Sequence, residues 1–221
     1  MHRSLAAGLL FVLTFSAAVQ ADDKPQTEEG FVSLFDGQTH AGWQGNKDGY
    51  AIKDGAFVCQ PKGGGNLYTE KEYGDFHLKF EFKLTPGANN GIGIRTPLEG
   101  DPAYVGMEIQ VLDDSSDKYK GKLAEYQYHG SVYGIVPAKQ GHLKPVGEWN
   151  SEEIILAGRD IKVVLNGETI VAANLDEASK NGTIDKQEAK HSGLKRDKGF
   201  ICFCGHGAEV WFRNLRIKEL K

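Results

Sequence analysis

Strict alternation of apolar and polar residues is the feature that most restricts how this chain can fold. It is clearest between Asp75 and Thr85, where every second residue is apolar: Phe76, Leu78, Phe80, Phe82 and Leu84. Because successive side chains of a strand point to opposite faces, this pattern predicts a strand with one buried and one solvated face. A helix would need a period of 3.6 residues, and no stretch of about 12 residues has that pattern.

Turn signals divide the rest of the chain into about a dozen short strands, which is typical of an all-β sandwich. Asp54-Gly55 and Asn166-Gly167 each separate two apolar runs and predict tight hairpins. The alternation changes parity around Arg213-Asn214, which predicts a β-bulge in the last strand. We also expect strands at Phe31–Phe35 and at Gly130–Ile135. Residues 176–198 are charged and should be mostly loop with a short helix.

The N-terminus has the pattern of a secretory signal peptide. A basic start with Arg3 precedes an apolar run from Leu5 to Val19, and small residues lead to a cleavage site after Ala21. The run is short for a spanning helix, and no later stretch predicts a membrane span. We therefore expect a periplasmic or secreted protein with a signal peptide at 1–21, a flexible lead-in at 22–30 and one domain at 31–221.

Charge and cysteine content restrict the partners further. The formal net charge is −4 at pH 7, and this mild acidity argues against nucleic acid, which requires a basic surface. Cys202 and Cys204 lie two apart in a predicted strand and should point the same way, a poor geometry for a disulfide. Cys59 could pair with either one, but buried free thiols are the favoured interpretation for all three.

The stretch Gly106–Asp113 carries the main functional prediction. In a strand Met107, Ile109 and Val111 share one face, which should enter a core, while Glu108 and Gln110 share the other. We interpret this polar face as the floor of a groove for a sugar-like ligand. An ordinary solvent-facing strand of an antiparallel sheet alternates in the same way and is the simpler alternative.

Further polar residues at strand ends or turns are candidates to surround this floor. They are Asn89, Asn90, Arg95, Asp113, His129, Trp149, Asn150 and His206. Aromatic side chains could stack on sugar rings or simply pack in the core. These are Trp43, Tyr104, Tyr126, Tyr128, Tyr133, Trp149 and Trp211.

The motifs of several common chemistries are missing or incomplete. His129 and His206, with Glu108 or Asp113, could bind a divalent metal, but no short ligand spacing supports such a site and no cofactor is required. Glu108 and Asp113 would be roughly 16 Å apart on opposite faces of a strand, which is unsuitable for a paired-carboxylate glycosidase. The chain has no Gly-x-Ser-x-Gly elbow, and Gly63-Gly64-Gly65 lacks the ending of a phosphate-binding loop.

Six motifs in order resemble those of a known family. They are Phe31–Gly37 with Gly42-Trp43, Asn89–Ile92 with Arg95, Gly106–Asp113, Gly147–Asn150, Leu165–Gly167 and Val210–Leu215. Together they resemble the 3-keto-disaccharide hydrolase family over about Phe31 to Leu220. Asn90 departs from a serine common in that family, and Cys204 from a glutamine.

This resemblance implies a two-sheet antiparallel jelly roll of the concanavalin or laminin-G type. It also implies an exported bacterial enzyme that acts on 3-keto-disaccharides or other 3-keto-glycosides. A ketone at C3 acidifies the proton on C2, so a base can remove it, the aglycone on C1 can leave, and water can add afterwards. This route needs a base, a stabiliser for the enolate and a proton donor.

Roles for individual residues follow as hypotheses. Glu108 or His129 would be the base, and Arg95 or a bound metal would stabilise the enolate. Gln110, Asn90 and Asn150 would orient sugar hydroxyls. His206 or Asp113 would assist, and Trp149 would contact the sugar.

Two alternatives remain open from the sequence alone. The first is a non-catalytic, lectin-like carbohydrate-binding module, since sandwiches of this kind host many functions. The second is a structural envelope protein, which would have no concave pocket that contains both Glu108 and Gln110.

Overall fold

The computed structural model describes residues 28–221 and consists mainly of antiparallel strands. The predicted signal peptide and most of the predicted lead-in lie outside these described residues. The strands are β1 (Val32–Ser33), β2 (Trp43–Gly45), β3 (Tyr50–Lys53), β4 (Ala56–Cys59), β5 (Gly65–Tyr73), β6 (Phe76–Leu84), β7 (Asn89–Thr96), β8 (Met107–Leu112), β9 (Trp149–Ala157), β10 (Asp160–Leu165), β11 (Glu168–Asn174), β12 (Gly199–Gly205) and β13 (Val210–Glu219).

The strands form two sheets, as the all-β prediction requires. The large sheet has the order β11-β10-β9-β6-β13-β4-β3, with β1 also paired to β13. The small sheet has the order β2-β5-β12-β7-β8. Strands that are distant in sequence lie side by side in both sheets, as in a jelly roll, and the predicted two-sheet antiparallel sandwich is confirmed.

A core of aromatic and branched side chains joins the two sheets. Phe203 of the small sheet stacks on Phe212 of the large sheet with ring centroids 4.1 Å apart, and on Trp43 at 5.1 Å. The five alternating apolar residues of β6 are all buried, and its intervening residues are partly exposed. Burial of these faces is the main favourable contribution to folding, at about 25 cal/mol per Å² of apolar surface.

The predicted hairpins and bulge are confirmed. Asp54 and Gly55 have φ values of 50° and 71°, and Asn166 and Gly167 have φ values of 52° and 89°, as type I′ turns require. In β13 the register shifts between Arg213 and Arg216. The bulge directs the residues on both sides of it into the core: Val210, Phe212, Leu215 and Ile217.

Several expected elements differ in the structure. The first strand is only Val32–Ser33. The expected strand at 130–135 is not a named strand, although this segment hydrogen-bonds along β8 through Ser131 and Tyr133. By contrast, residues 176–198 are mostly loop with short helices, as predicted: α2 comprises Leu175–Ser179 and a 3₁₀ turn comprises Ser192–Lys195. A short helix that was not predicted, α1, comprises Pro102–Val105. Helix α1 has only 4 residues, which is too short to show a helical period in the sequence.

The three cysteines within residues 28–221 are buried and free. Cys202 and Cys204 point the same way, as predicted, with their sulfur atoms 3.6 Å apart. They lie on the outer face of the small sheet beside Tyr68. In the same described range, no helix is both long enough and apolar enough to cross a membrane.

Candidate functional site

Strand β8 forms the floor of a cavity, with the parity that the sequence predicts. Met107, Ile109 and Val111 are fully buried between the sheets. Glu108 and Gln110 point to the opposite, outer face of the small sheet and line a cavity of about 210 Å³. The cavity is concave and polar, so the floor is not an ordinary solvent-facing strand.

Three regions of the chain surround this floor. The strands β7 and β8 supply the base, helix α1 and its N-terminal flank supply one wall, and the long loop after β8 supplies another. His206, just after β12, completes the cavity. The lining residues are Asn89, Asp101, Ala103, Tyr104, Glu108, Gln110, Leu112, Tyr119, Leu123, Gln127, Tyr133 and His206.

Glycine in β7 makes room for the carboxylate of Glu108. Gly91 and Gly93 lie beside β8, and Gly93 is the paired neighbour of Glu108. A Cβ atom at Gly91 would be 1.7 Å from Oε1 of Glu108, while one at Gly93 would be 2.5 Å from Sγ of Cys202. The absence of a side chain at Gly91 therefore leaves the space that the Glu108 carboxylate occupies.

Glu108 and His206 form an acid–imidazole pair at the cavity. Nε2 of His206 is 3.7 Å from Oε1 of Glu108, and the side chains are 50% and 5% exposed. Burial raises the pKa of Glu108 above its ordinary value, despite the opposing effect of His206. The Glu108 carboxylate in turn raises the pKa of His206. A buried carboxyl with a raised pKa beside a histidine is typical of a site for proton transfer.

Two oxygen atoms on the cavity wall have no hydrogen-bond donor among the described residues. They are Oε1 of Glu108 and Oδ1 of Asn89, and both are buried. Buried polar atoms in proteins are nearly always hydrogen-bonded, because an unpaired one costs about 1–3 kcal/mol. Two such acceptors in one cavity are suited to a ligand that carries hydroxyl donors.

Tyrosines form the opposite side of the cavity. The Tyr104 and Tyr133 rings are perpendicular, with centroids 6.4 Å apart. The amide of Gln127 donates a hydrogen bond to the Tyr133 hydroxyl (3.1 Å), and the Tyr119 hydroxyl donates to the Gly87 carbonyl (3.2 Å). These contacts join two parts of the long loop to each other and the loop to the turn between β6 and β7, and they give the cavity flat aromatic surfaces of the kind that pack on sugar rings.

Arg95 does not lie at the cavity, so its predicted position is wrong. Its guanidinium is buried in an ion pair with Asp75 (2.9 Å) and donates hydrogen bonds to three backbone carbonyls. Phe200 pairs with Thr96 and Cys202 with Gly93, so β7 contains one extra residue between these pairs. Arg95 has φ of 49° within this bulge, which turns its side chain away from the face that simple alternation predicts.

His129 and Asp113 also lie away from the cavity, contrary to prediction. The Nδ1 atom of His129 accepts a hydrogen bond from the Leu112 amide, and its Nε2 atom is 3.0 Å from Glu152, in the interior between the sheets. Asp113 accepts hydrogen bonds from the Gly87 amide and the Ser115 hydroxyl and so holds a turn.

The three remaining substrate-binding candidates have structural positions instead. Asn90 opposes Val111 and faces the interior. Asn150 accepts hydrogen bonds from the Lys144 amide and from Asn166, which holds a loop. Trp149 lies on the outer face of the large sheet, where the Arg213 guanidinium is 4.1 Å from its ring.

Some residues of the cavity were not selected from the sequence, and Asn89 was a candidate to which no role was assigned. Asn90 shares its parity with Ile92 and Ile94, so alternation assigns Asn89, rather than Asn90, to the polar face of β7. Asp101, Tyr119 and Gln127 lie in irregular segments, where no period predicts the direction of a side chain. Tyr104 and Tyr133 were among seven aromatic candidates, and only the tertiary structure separates them from the others.

No group of three or more His, Cys, Asp or Glu side chains within residues 28–221 is arranged to bind a metal ion. The expected metal candidates are separated, because His129 lies in the interior and Asp113 holds a turn. Only Glu108 and His206 of that set line the cavity.

Comparison with known proteins relates this fold to a family. A Bacteroides thetaiotaomicron protein named 3-keto-disaccharide hydrolase is 30% identical to this chain. The alignment has 236 residues and covers 89% of this chain and 80% of the relative. A crystal structure of a candidate glycosyl hydrolase from Parabacteroides distasonis is 27% identical, with a TM-score of 0.73 over 87% of this chain and 95% of that one.

A more distant similarity concerns the fold alone. A Bacillus subtilis protein with a galectin-like fold superposes with a TM-score of 0.50 at 11% identity, over 80% of this chain and 89% of that one. Residues 30–218 match the model of the 3-keto-alpha-glucoside-1,2-lyase-like domain. The chain therefore belongs to the 3-keto-alpha-glucoside-1,2-lyase-like family.

Proposed function

We propose that this protein is an enzyme that cleaves 3-keto-glycosides, including 3-keto-disaccharides, at the bond between C1 of the oxidised sugar and its aglycone. The observation that carries the proposal is the pairing of Glu108 with His206 in a cavity that also contains acceptor oxygens without a hydrogen-bond donor among residues 28–221. The name of the Bacteroides relative and the family description support the same chemistry.

In the proposed first step Glu108 removes the proton on C2 of the bound sugar. Burial raises the pKa of Glu108, which makes its carboxylate a stronger base than that of an ordinary glutamate. The electrons of the C2–H bond form an enolate with the C3 ketone. The imidazolium of His206 and the tyrosine hydroxyls are the available groups that could stabilise the negative oxygen.

In the second step the enolate electrons form the C1–C2 double bond and expel the aglycone oxygen from C1. His206 is suited to donate a proton to that oxygen, because its side chain is half exposed at the cavity and its pKa is raised by Glu108. Water then adds to C1, and C2 regains a proton. The sum of these steps is hydrolysis.

The other polar residues of the cavity would bind and orient the sugar. Oδ1 of Asn89 has no hydrogen-bond donor in the described part of the chain and would accept a hydrogen bond from a sugar hydroxyl. Gln110 projects from the same strand as Glu108 and offers both a donor and an acceptor. The Tyr104 and Tyr133 rings would pack against the apolar face of the sugar.

Incubation of the purified protein with 3-keto-trehalose in D₂O tests this function. We expect release of glucose, and deuterium at C2 of the 3-keto-glucose product, because C2 loses and regains a proton. Plain trehalose should remain intact, since its C2 proton is not acidic. Binding of the keto sugar without cleavage would indicate the lectin-like alternative, and equal cleavage of both sugars would exclude the elimination route.

We also propose that the chain is exported, with cleavage of its signal peptide after Ala21. The pattern of a basic start, an apolar run and small residues before Asp22 supports this location. N-terminal sequencing of the protein secreted or released from the periplasm of an expressing bacterium should begin at Asp22. An intact N-terminus at Met1 on all of the protein would contradict the proposal.

A further inference from the structure

A second buried acid–histidine pair lies behind the aromatic side of the cavity. Nε2 of His191 is 2.9 Å from Oδ2 of Asp185, and both side chains are completely buried. They belong to the segment between α2 and β12, which the sequence predicts as a charged connection. The chemistry proposed above does not use this pair.

Asp185 is held as a carboxylate by several donors. Its oxygens accept hydrogen bonds from the Thr183 hydroxyl (2.7 Å) and from the Gln187 amide nitrogen of the backbone (3.0 Å). Burial alone would raise its pKa, but the hydrogen bonds from Thr183, His191 and Gln187 together lower it. The pair is therefore a fixed, charge-assisted contact rather than an adaptable one.

One wall of the cavity rests on this pair through Tyr104. The imidazole centroid of His191 is 4.9 Å from the Tyr104 ring centroid, and the Gln187 side chain reaches the Tyr104 hydroxyl at 3.5 Å. The backbone packs equally closely, since a Cβ atom at Gly193 would be 1.9 Å from the Gly106 carbonyl oxygen, just after α1.

Tyr133 is linked to the same pair through the next residue, Gly134, which packs against Asp185 and His191. A Cβ atom at Gly134 would be 2.6 Å from Oδ2 of Asp185 and 2.8 Å from Nε2 of His191. The Asp185 amide also donates a hydrogen bond to the Gly134 carbonyl (3.3 Å). A single buried aspartate–histidine pair thus contacts the supports of both tyrosines.

We infer that Asp185 and His191 form a clasp that positions Tyr104 and Tyr133 across the cavity and so determines how tightly the sugar ring is held. The expected effect on KM rests on the proposed function, whereas the effect on the positions of Tyr104 and Tyr133 does not. Flat aromatic surfaces bind a ring well only at a fixed separation, and displacements of about 1 Å in supporting groups can change rates strongly. Asp185 and His191 are thus positioning residues that do not touch the substrate.

Asp185→Asn tests the clasp, because asparagine retains the size of the side chain and removes its charge. We expect KM for the 3-keto-disaccharide to rise about tenfold while kcat stays within about threefold, since the base and the acid are untouched. His191→Phe should raise KM similarly, although it keeps a ring against Tyr104. Glu153→Gln is the matched control, because it removes the charge from another carboxylate–histidine contact (His77, 2.7 Å), which lies on the large sheet away from the cavity.

Hydrogen exchange provides a reading that does not depend on catalysis. Peptides that cover residues 101–106 and 130–135 should exchange faster in Asp185→Asn than in the wild type, and should not change in Glu153→Gln. A folded Asp185→Asn protein with unchanged exchange in both peptides would overturn the clasp. If the wild type does not turn over keto sugars, the proposed function fails, and the exchange result still decides the inference.

Discussion

The chain places two glutamate–histidine pairs in opposite environments. His206 and Glu108 are 3.7 Å apart on the wall of a cavity, and the histidine is half exposed. His129 and Glu152 are closer, at 3.0 Å, but both are buried between the sheets against the Phe82 ring. The interior pair has the shorter contact, yet only the outer pair lies where a ligand can reach it.

The comparison teaches that access, rather than the distance between two groups, separates a candidate catalytic pair from a structural one. In the interior pair Nδ1 of His129 accepts a hydrogen bond from the Leu112 amide. Its Nε2 atom is 3.0 Å from Glu152, but neither Nε2 nor the Glu152 oxygens have a hydrogen-bond partner among the described residues. In the outer pair Oε1 of Glu108 also has no hydrogen-bond donor among the described residues, but Glu108 lines the cavity, where a substrate can reach it. A proton acceptor that is free to receive a substrate proton is what general-base catalysis requires.

Replacement of Glu108 by glutamine should have the largest effect. We expect kcat for release of glucose from a 3-keto-disaccharide to fall by about a thousandfold, because the amide cannot act as a base. Glu152→Gln, the equivalent change in the interior pair, should leave kcat per folded molecule nearly unchanged. Retention of more than about a tenth of the wild-type kcat by Glu108→Gln would remove Glu108 from the proposed role.

The interior pair should affect stability instead. His129→Phe leaves the Glu152 carboxylate in the interior without its partner, so the free energy of unfolding should fall by about 3 kcal/mol in urea titrations. Addition of Glu152→Leu should recover part of this loss, because the unpaired carboxylate is then gone. If the double variant folds normally but has lost turnover, the interior pair acts in the chemistry after all.

His206→Asn should reduce kcat by about a hundredfold and change the pH profile. As the pH increases, wild-type kcat/KM should first rise, when Glu108 loses its proton, and then fall, when His206 loses its proton. The pKa values of both groups are raised, so each change should occur at a higher pH than for an ordinary glutamate or histidine. The variant should keep the rise at low pH and lose the fall at high pH. A high-pH limb that survives in His206→Asn would assign that limb to another group.

Gly91→Ala should have a smaller effect that acts through Glu108. The added methyl group would occupy the space of the carboxylate, so Glu108 must shift, and we expect kcat/KM to fall about tenfold. Gly93→Ala, two residues along the same face, meets the sulfur of Cys202 instead and serves as the control for lost stability. Equal activity losses in both variants at equal melting temperatures would show that Glu108 is not specifically displaced.

Much of the fold could be predicted because its signals are local. The alternation in β6, the Asp54-Gly55 and Asn166-Gly167 turns and the parity change in β13 each constrain the backbone within a few residues. The same rule assigned Glu108 and Gln110 to the polar face of β8 correctly. The rule also holds for Asn90, which was chosen as a site residue although its parity with Ile92 and Ile94 assigns it to the core.

Tertiary structure decided which of the polar side chains came together. Arg95 would share a face with Gly91 and Gly93 by alternation, but one extra residue in β7 turned it towards Asp75. His129 and His206 are equally polar in sequence, and packing of the large sheet over one of them made it an interior residue. A strand's sequence determines the face on which a side chain lies, whereas the cavity depends on strands and loops that are far apart in the chain, because their contacts form only when the two sheets pack.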